Sequence, residues 1–373
     1  MPHKLSEITV RFLFVAVFLI AAGLSVLSGQ TPVITGQTNK YARVLAVGSD
    51  NVTVSSVSDF AVGDTVLLIQ MGGIIINASA TLDGSAQDKV GVPGGYEFVL
   101  IQSISGSPGN WQVYFTRDLL NEYHPDGKVQ MIRVRNYDHA VVNSELSCAD
   151  WDSTTVTGGV LAFFVRGTLT LNANINVSGK GFKGGIVSSG PGYCFESNDT
   201  VRHYFYNIGS TVSGYKGEGI ALRNTGGVRI YPGLAKGRGV TYSGGGGGNG
   251  HFSGGGGGAG QGAGSTGHQE MDGLCMVEYN GGLGGKSIKG NIITSGGVYM
   301  GGGGGASTYS GTPTWSAGGD GGGIVIILAN SIAGNGRTIT AAGSQPNDNA
   351  ALLAGAGGGG GYPRHRGQPQ AGQ

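Results

Sequence analysis

The sequence predicts an all-β protein: a small N-terminal β-barrel or sandwich, followed by a β-solenoid-like unit with packed glycine-rich strands. Three observations lead there. Short runs rich in Val, Ile, Tyr and Phe follow one another through residues 31–145. Glycine accounts for 77 of the 373 residues, far above its usual share of about 7%. No helical periodicity of useful length competes with the strand pattern.

Residues 1–29 are predicted to be a secretory signal peptide. A positively charged start precedes the apolar run 12–27, and the small residues Ser28 and Gly29 follow it. The run is shorter than the roughly 20 residues of a comfortable membrane span, and the order of features is that of a cleaved leader. A short membrane anchor is the alternative. We therefore expect a secreted or cell-surface protein with no membrane span in the mature chain.

Residues 30–150 are predicted to form the barrel or sandwich. The candidate strands are rich in β-branched and aromatic residues, and several alternate between apolar and polar positions: 41–47, 51–54, 60–70, 96–104, 111–116 and 129–137. Turn residues such as Pro125-Asp126-Gly127 separate them. Short strands at this spacing are typical of a small β domain.

Residues 151–356 are predicted to form the second domain, and residues 357–373 a flexible glycine-rich tail. A strand of the buried type over 159–166 precedes two short alternating strands that end at Ser178. A similar order returns over 323–341. Two such units indicate a weak internal repeat.

Glycine runs lie between and after these two units, at 244–248, 254–258, 301–305 and 357–361. Glycine loses much backbone entropy on folding, so such runs are either flexible linkers or extended, polyproline-II-type strands that pack side by side. The strands that flank and interrupt the runs favour the packed alternative.

Three cysteines are present, Cys148, Cys194 and Cys275. Export permits disulfides, and an odd count leaves one thiol free or paired with another chain. A bond between Cys148 and Cys194 is favoured because it would clip the start of the glycine-rich part, although the sequence alone leaves the pairing open.

Two phosphate-binding patterns are matched incompletely. Gly179–Gly184 reads G-x-G-x-x-G, and Asn280–Ser287 is one residue short of a P-loop. Both kinds of site need a following helix whose N-terminus holds the phosphate, yet turn and strand residues follow each pattern. We therefore predict no nucleotide cofactor. The formal net charge of +1 also provides no basic field for nucleic acid.

Acidic residues near the domain boundary are the weak candidates for a metal site. Asp150 and Asp152 flank Trp151, and paired carboxylates can hold calcium. A role in a turn or cap is the favoured interpretation, so no metal is predicted. Together with Glu145, the same residues are the candidate carboxylates of a carbohydrate-active enzyme, whose acids lie roughly 5–10 Å apart.

Aromatic residues crowd the segments between glycine runs. The candidate contact residues are Tyr193, Phe195, Tyr204, Phe205, Tyr206, Tyr299, Tyr309 and Trp315. Exposed aromatic rings stack on sugars and peptides, and loops on a rigid scaffold often carry such contacts. The alternative is that these rings cover the solenoid.

Three stretches carry a resemblance to a known group of proteins: 60–70 (FAVGDTVLLIQ), 158–185 (GGVLAFFVRGTLTLNANINVSGKGFKGG) and 318–330 (GGDGGGIVIILAN). With them the mature chain resembles the glycine-rich N-terminal segment of large secreted surface proteins of gliding bacteria, which are adhesin-like or gliding-motility-associated and exported by the type IX route. The glycine clusters are also similar to the packed glycine helices of phage tail adhesins. A C-terminal sorting domain is not recognisable, so we expect a fragment or an unusual member.

The resemblance implies a non-enzymatic structural or adhesive surface protein whose ligand is a glycan or another cell-surface protein. The alternative from a different class is a β-solenoid carbohydrate-binding or carbohydrate-active enzyme. Ice or mineral binding through Thr168 and Thr170 is a third hypothesis, but two threonines are too few for a regular array.

Overall fold

The computed structural model describes residues 31–79, 81–186, 188–189, 203–223, 235–250, 253–268, 280–288, 296–309, 316–346 and 363–366. The predicted leader lies outside these residues, as do Tyr193, Phe195 and Trp315. Val33–Gln373 form one compact unit. The predicted boundary at residue 150 is not a break in this unit, because strands on both sides of it pair in one sheet.

The all-β class is confirmed. The described residues contain one short 3₁₀ helix, Pro125–Gly127, and the strands β1 Val33–Ile34, β2 Tyr41–Val47, β3 Asn51–Val54, β4 Thr65–Gln70, β5 Ile74–Ile76, β6 Ala86–Lys89, β7 Tyr96–Ser107, β8 Asn110–Phe115, β9 Val129–Tyr137, β10 Ala140–Val142, β11 Val160–Leu171, β12 Ile175–Asn176, β13 Ser188–Ser189, β14 Ala221–Arg223, β15 Thr308–Tyr309, β16 Ile324–Ala333, β17 Ile339–Thr340 and β18 Pro363–Arg366.

Six antiparallel strands pair in a closed ring. The order is β2-β3-β8-β7-β4-β9, and β9 pairs with β2 again. Alternate side chains of these strands point to one side, as the period of a strand requires. There they form an apolar cluster that includes Val52, Leu68, Ile101, Phe115 and Met131.

Parallel strands continue the sheet in the order β1-β10-β11-β16, and β18 pairs with the free side of β16. The two repeat units predicted from sequence are neighbours here, since β11 pairs with β16 and β12 with β17. The first predicted strand does not end at residue 166, because a register shift between Val165 and Thr168 lies inside the single strand β11. Within the predicted flexible tail, Pro363–Arg366 form β18.

The glycine-rich residues form extended segments that bond to one another. We call them glycine segments 1 to 8; they are residues 181–185, 214–218, 244–248, 254–259, 264–268, 281–285, 301–306 and 318–322. Their backbone N–H groups donate to carbonyl oxygens of other segments, as from Gly245 to Gly303 (2.9 Å) and from Gly304 to Gly319 (2.8 Å). In the described residues these runs are packed rather than free linkers.

The hydrogen bonds of segment 7 repeat every third residue. Gly301 and Gly304 donate to segment 8, while Gly302 and Gly305 donate to segment 4. The remaining donors of the segment, at positions 303 and 306, bond to segment 2. A repeat of three residues is that of the polyproline II helix, and it lets one extended segment bond to three neighbours. We call this array the glycine lattice.

Glycine is needed in the lattice because the backbones approach too closely for a side chain. A Cβ at Gly302 would lie 1.9 Å from the carbonyl oxygen of Ser243, and one at Gly245 would lie 1.9 Å from that of Gly256. Such distances lie far inside any van der Waals contact. The high glycine content of this half of the chain therefore follows from its packing.

Candidate functional site

Consecutive glycine segments run in opposite directions. In segments 7 and 8, Gly301 donates to Gly322 and Gly304 to Gly319, so the acceptor number falls as the donor number rises. Segments 1 and 7, by contrast, are parallel, since Gly185 donates to Gly304 and the residue three positions earlier donates to Gly301. The same bonds give segments 1, 3, 5 and 7 one direction and the even-numbered segments the other.

This alternation defines two ends of the lattice. At the near end the chain enters segment 1 from Lys180 and leaves segment 8 into β16. At the far end lie the starts and ends of four connections, which are residues 186–213, 249–253, 269–280 and 307–317. The far end is therefore the place where four of the seven connections between segments leave and return.

Apolar side chains anchor the near end. Six of them sit at near-end termini of the segments and belong to one buried cluster: Phe182, Ile220, Tyr242, Ile288, Met300 and Ile324. The cluster also contains Trp151 and residues of β4 and β5 such as Ile69 and Ile74. The hydrophobic contact is thus concentrated at the end that faces the sheet, and burial of this kind is the main favourable term in folding.

Seven of the eight predicted contact residues belong to far-end connections: Tyr193, Phe195, Tyr204, Phe205, Tyr206, Tyr309 and Trp315. Tyr299 is the exception, because it precedes segment 7 at the near end. The topology therefore places both ends of these connections at one end of the lattice, although the connection 186–213 reaches back far enough for Tyr204 and Phe205 to contact the near-end cluster. A single sequence contains no signal for this placement of the connections, because the placement depends on the direction in which each segment runs.

Two of the predicted contact residues are core residues instead. Tyr299 is 3% exposed, and its hydroxyl donates to the carbonyl oxygen of Pro93 at 2.8 Å. Phe205 is 4% exposed and packs in the near-end cluster. Both rings fill space between the lattice and the sheet, so the prediction that they belong to an exposed contact surface is wrong.

Tyr206 is the predicted contact residue whose ring is best placed for recognition among those described. It is half-buried and lies 5.2 Å from the ring of His203, at a tilt of 40°. Burial raises the pKa of its hydroxyl to about 12, so it is a neutral hydrogen-bonding group at physiological pH. Ile208, two residues further on, is exposed.

A buried lysine holds this aromatic segment to the lattice. The Lys216 ammonium donates to the carbonyl oxygens of Tyr204, Gly237 and Gly239, and it lies 4.2 Å from the centre of the Phe205 ring. An ammonium group has three donors, and these three acceptors come from two separate stretches of chain. Lys216 therefore connects the backbone at Tyr204 to the backbone at Gly237 and Gly239.

Charged groups meet where the lattice joins the sheet. Glu218 of segment 2 is buried; its carboxylate accepts from the Lys128 ammonium and from Trp151 Nε1 (2.9 Å). Lys183 and Asp320 form a second ion pair (2.8 Å) between segments 1 and 8. Sequence reasoning missed both. The available signal was the pair of charged residues in Tyr-Lys-Gly-Glu-Gly-Ile, inside a stretch that is otherwise small or apolar.

Asp150 and Asp152 have separate structural roles. Asp150 pairs with Lys180, and Asp152 caps its turn by accepting from the backbone N–H groups of Thr154 (2.8 Å) and Thr155 (3.3 Å). Glu145 is exposed. Over the part of the chain that the structure describes, no group of three or more His, Cys, Asp or Glu residues is arranged to hold a metal ion.

The turn at Asp152 makes stability depend on pH. The backbone N–H of Thr154 is the main cause that lowers the pKa of Asp152 from 3.8. A carboxylate with a lowered folded-state pKa contributes stability above its unfolded-state pKa, and this contribution is lost as the pH falls through the folded value. In denaturant titrations the advantage of the wild type over Asp152→Asn, which keeps the acceptor without the charge, should shrink below about pH 4. A constant difference would contradict this assignment.

The two glycine motifs are explained by the lattice. The backbone N–H groups of the first motif, which a phosphate would need, donate to protein acceptors instead, as from Gly181 to the carbonyl oxygen of Gly321 (2.7 Å) and from Gly184 to the Asp320 carboxylate (2.8 Å). In the second motif, Lys286 bonds to Asp83 (2.9 Å), and the hydroxyl of Ser287 donates to the carbonyl oxygen of Gln261. Neither motif presents a phosphate cradle.

Cys148 is a buried, free thiol, and burial is the main cause that raises its pKa to about 12. The disulfide predicted with Cys194 is therefore not formed in this structure, and Cys194 itself lies outside the described residues. In the described ranges, no helix is long and apolar enough to cross a membrane.

Comparisons with known proteins give no match: no family model, no curated protein and no solved structure is similar to this chain.

Proposed function

We propose that the protein is a non-enzymatic extracellular or cell-surface protein with a structural or adhesive role, in which the glycine lattice presents the far-end connections to a ligand. The proposal includes a secretory leader at 1–29 and an adhesin-like character of the kind seen in gliding bacteria. It also interprets the six-stranded ring as a small barrel and the parallel strands as solenoid-like rungs.

One observation carries the proposal. The strict alternation of the eight segments separates an apolar near end from a far end where four connections leave and return. A lattice held by close backbone contacts is stiff, and binding residues are commonly found on loops positioned by a rigid scaffold. The far-end connections contain tyrosine, phenylalanine, tryptophan and histidine, which suit a glycan or a protein surface.

Ligand binding by far-end variants of the full secreted chain tests the proposal. Tyr206→Ala and Trp315→Ala should each weaken binding to a glycan array or to cells by about tenfold or more, because aromatic anchors often supply more than about 1.4 kcal/mol. Tyr114→Ala is the matched control, since Tyr114 is a partly exposed tyrosine of β8 in the strand ring. All three variants should keep the circular dichroism spectrum of the wild type.

Equal binding by all three variants, or no binding to any glycan or cell surface, would contradict the proposal. Polysaccharide cleavage that depends on Glu145, Asp150 or Asp152 would instead favour the enzyme alternative. The exposed position of Glu145 and the structural roles of the two aspartates leave that alternative without a specific supporting observation.

A further inference from the structure

The free side of β16 is an apolar strand edge that a single short strand covers. β16 begins with Ile324-Val325-Ile326-Ile327, all buried. On one side it pairs with β11 over nine positions. On the other side, within the described residues, β18 alone pairs with it, over the four positions Val325–Leu328.

β18 is a weak cover for such an edge. Its sequence is Pro363-Arg364-His365-Arg366. Proline has no backbone N–H to donate, and proline and arginine are residues that proteins place on strand edges to discourage further pairing. The cover therefore contributes few hydrogen bonds while it shields an apolar, β-branched strand that would pair readily with another chain.

The connection to β18 is long enough to reach another molecule. Residues 347–362 join the described stretch that ends at Pro346 to the start of β18. At about 3.3 Å per residue, this connection spans up to roughly 50 Å when extended. A covering strand on so long a connection can pair with its own β16 or with the β16 of a neighbouring copy, since the contacts made are the same.

We propose that the β16 edge is a self-association surface whose occupant is β18 of a second copy, so that neighbouring copies exchange this strand. We name β18 as the occupant because it already pairs with this edge within one copy, in parallel register from Val325↔Pro363 to Leu328↔Arg366. Pairing within one copy dominates in dilute solution, where a linked segment acts at an effective concentration in the millimolar range. Exchange takes over where copies are crowded. This inference does not depend on the far-end ligand.

Mixing two single-cysteine variants of the full chain tests the exchange. One variant has Leu328→Cys and the other has Arg366→Cys; these positions are directly paired. Paired residues of neighbouring strands lie about 4.8 Å apart, within the range of about 4.4–6.8 Å that a disulfide spans. Under oxidised glutathione, a covalent heterodimer should form between the variants, and its fraction should rise with protein concentration toward about 1 mM.

Two controls make each outcome decisive. The double variant Leu328→Cys/Arg366→Cys should form an internal disulfide at low concentration, seen by mass spectrometry. Each single variant mixed with wild type reports disulfides that involve the three native cysteines. An internal disulfide in the double variant without any heterodimer in the mixture would overturn exchange. Absence of both disulfides would overturn the pairing of β18 with β16 itself.

Discussion

Gly305→Ala is expected to lower the free energy of unfolding by about 4 kcal/mol or more, the range reached when a substitution overpacks a site that cannot adjust. The new Cβ would lie 1.9 Å from the carbonyl oxygen of Gly246. Gly305 also donates to Gly256 at 2.8 Å, so segment 7 cannot move away from one neighbour without disturbing another. Chemical denaturation followed by circular dichroism measures the loss.

Gly262→Ala is the matched control within the same glycine-rich stretch. A Cβ there has nothing within 4 Å and the backbone is not in the left-handed region. Alanine restricts the unfolded chain more than glycine, so this variant should be unchanged or more stable by up to about 1 kcal/mol. Gly257→Ala should fall between the two, because its Cβ would lie 3.1 Å from the backbone nitrogen of Ser265.

The free energy of unfolding should therefore be highest for Gly262→Ala, intermediate for Gly257→Ala and lowest for Gly305→Ala. If the glycine segments were loose linkers, these residues would be equally free in the folded and unfolded chains, so none of the three substitutions would change the free energy of unfolding by much. Equal effects of Gly305→Ala and Gly262→Ala would therefore contradict the lattice. Should Gly305→Ala fail to fold, the comparison between Gly257→Ala and Gly262→Ala still decides the question.

The strands were predictable because each one carries its own signal. Alternation over 41–47 and 51–54 and the apolar run before Gln70 correspond to β2, β3 and β4. The internal repeat was also visible, and its two copies pair directly as β11 and β16. Local patterns suffice here because strand formation depends on the spacing of side chains within a few residues.

The closure of the ring and the order of the glycine segments were not predictable in the same way. Both depend on which distant backbone groups meet, and glycine has no side chain that could record its partner. The run 301–305 reads the same whether its donors reach segment 2, segment 4 or segment 8. Only the packed structure shows that they reach all three in turn.

In the candidate site, too, local patterns predict some features and tertiary contacts determine the rest. Aromatic residues crowd between the glycine runs, but no local pattern indicates which of their rings point inward. Phe205 and Tyr299 are buried at the near end, while Tyr206 is half-buried. Neighbouring residues of an irregular segment have no fixed period, so their burial follows from tertiary contacts alone.

Glu218→Ala is expected to cost about 3–5 kcal/mol, the usual effect of removing one partner of a buried ion pair. The Glu218 carboxylate accepts from Lys128, from Trp151 Nε1 and weakly from the backbone N–H of Lys183 (3.4 Å). The substitution removes the shared acceptor where segment 2 meets the sheet. Glu218→Gln should cost less, because the amide oxygen still accepts from the indole.

A double-mutant cycle separates the ion pair from the rest of this junction. If Lys128 and Glu218 stabilise each other directly, Glu218→Ala should cost at least about 1.5 kcal/mol less in a Lys128→Met background than in the wild type. Asp138→Ala is the control, because Asp138 and Arg166 form an ion pair whose side chains are 76% and 78% exposed. Its effect should stay within about 0.5 kcal/mol, since water screens such pairs. A Glu218→Ala effect as small as that of the control would show that the lattice is held to the sheet by the apolar cluster alone.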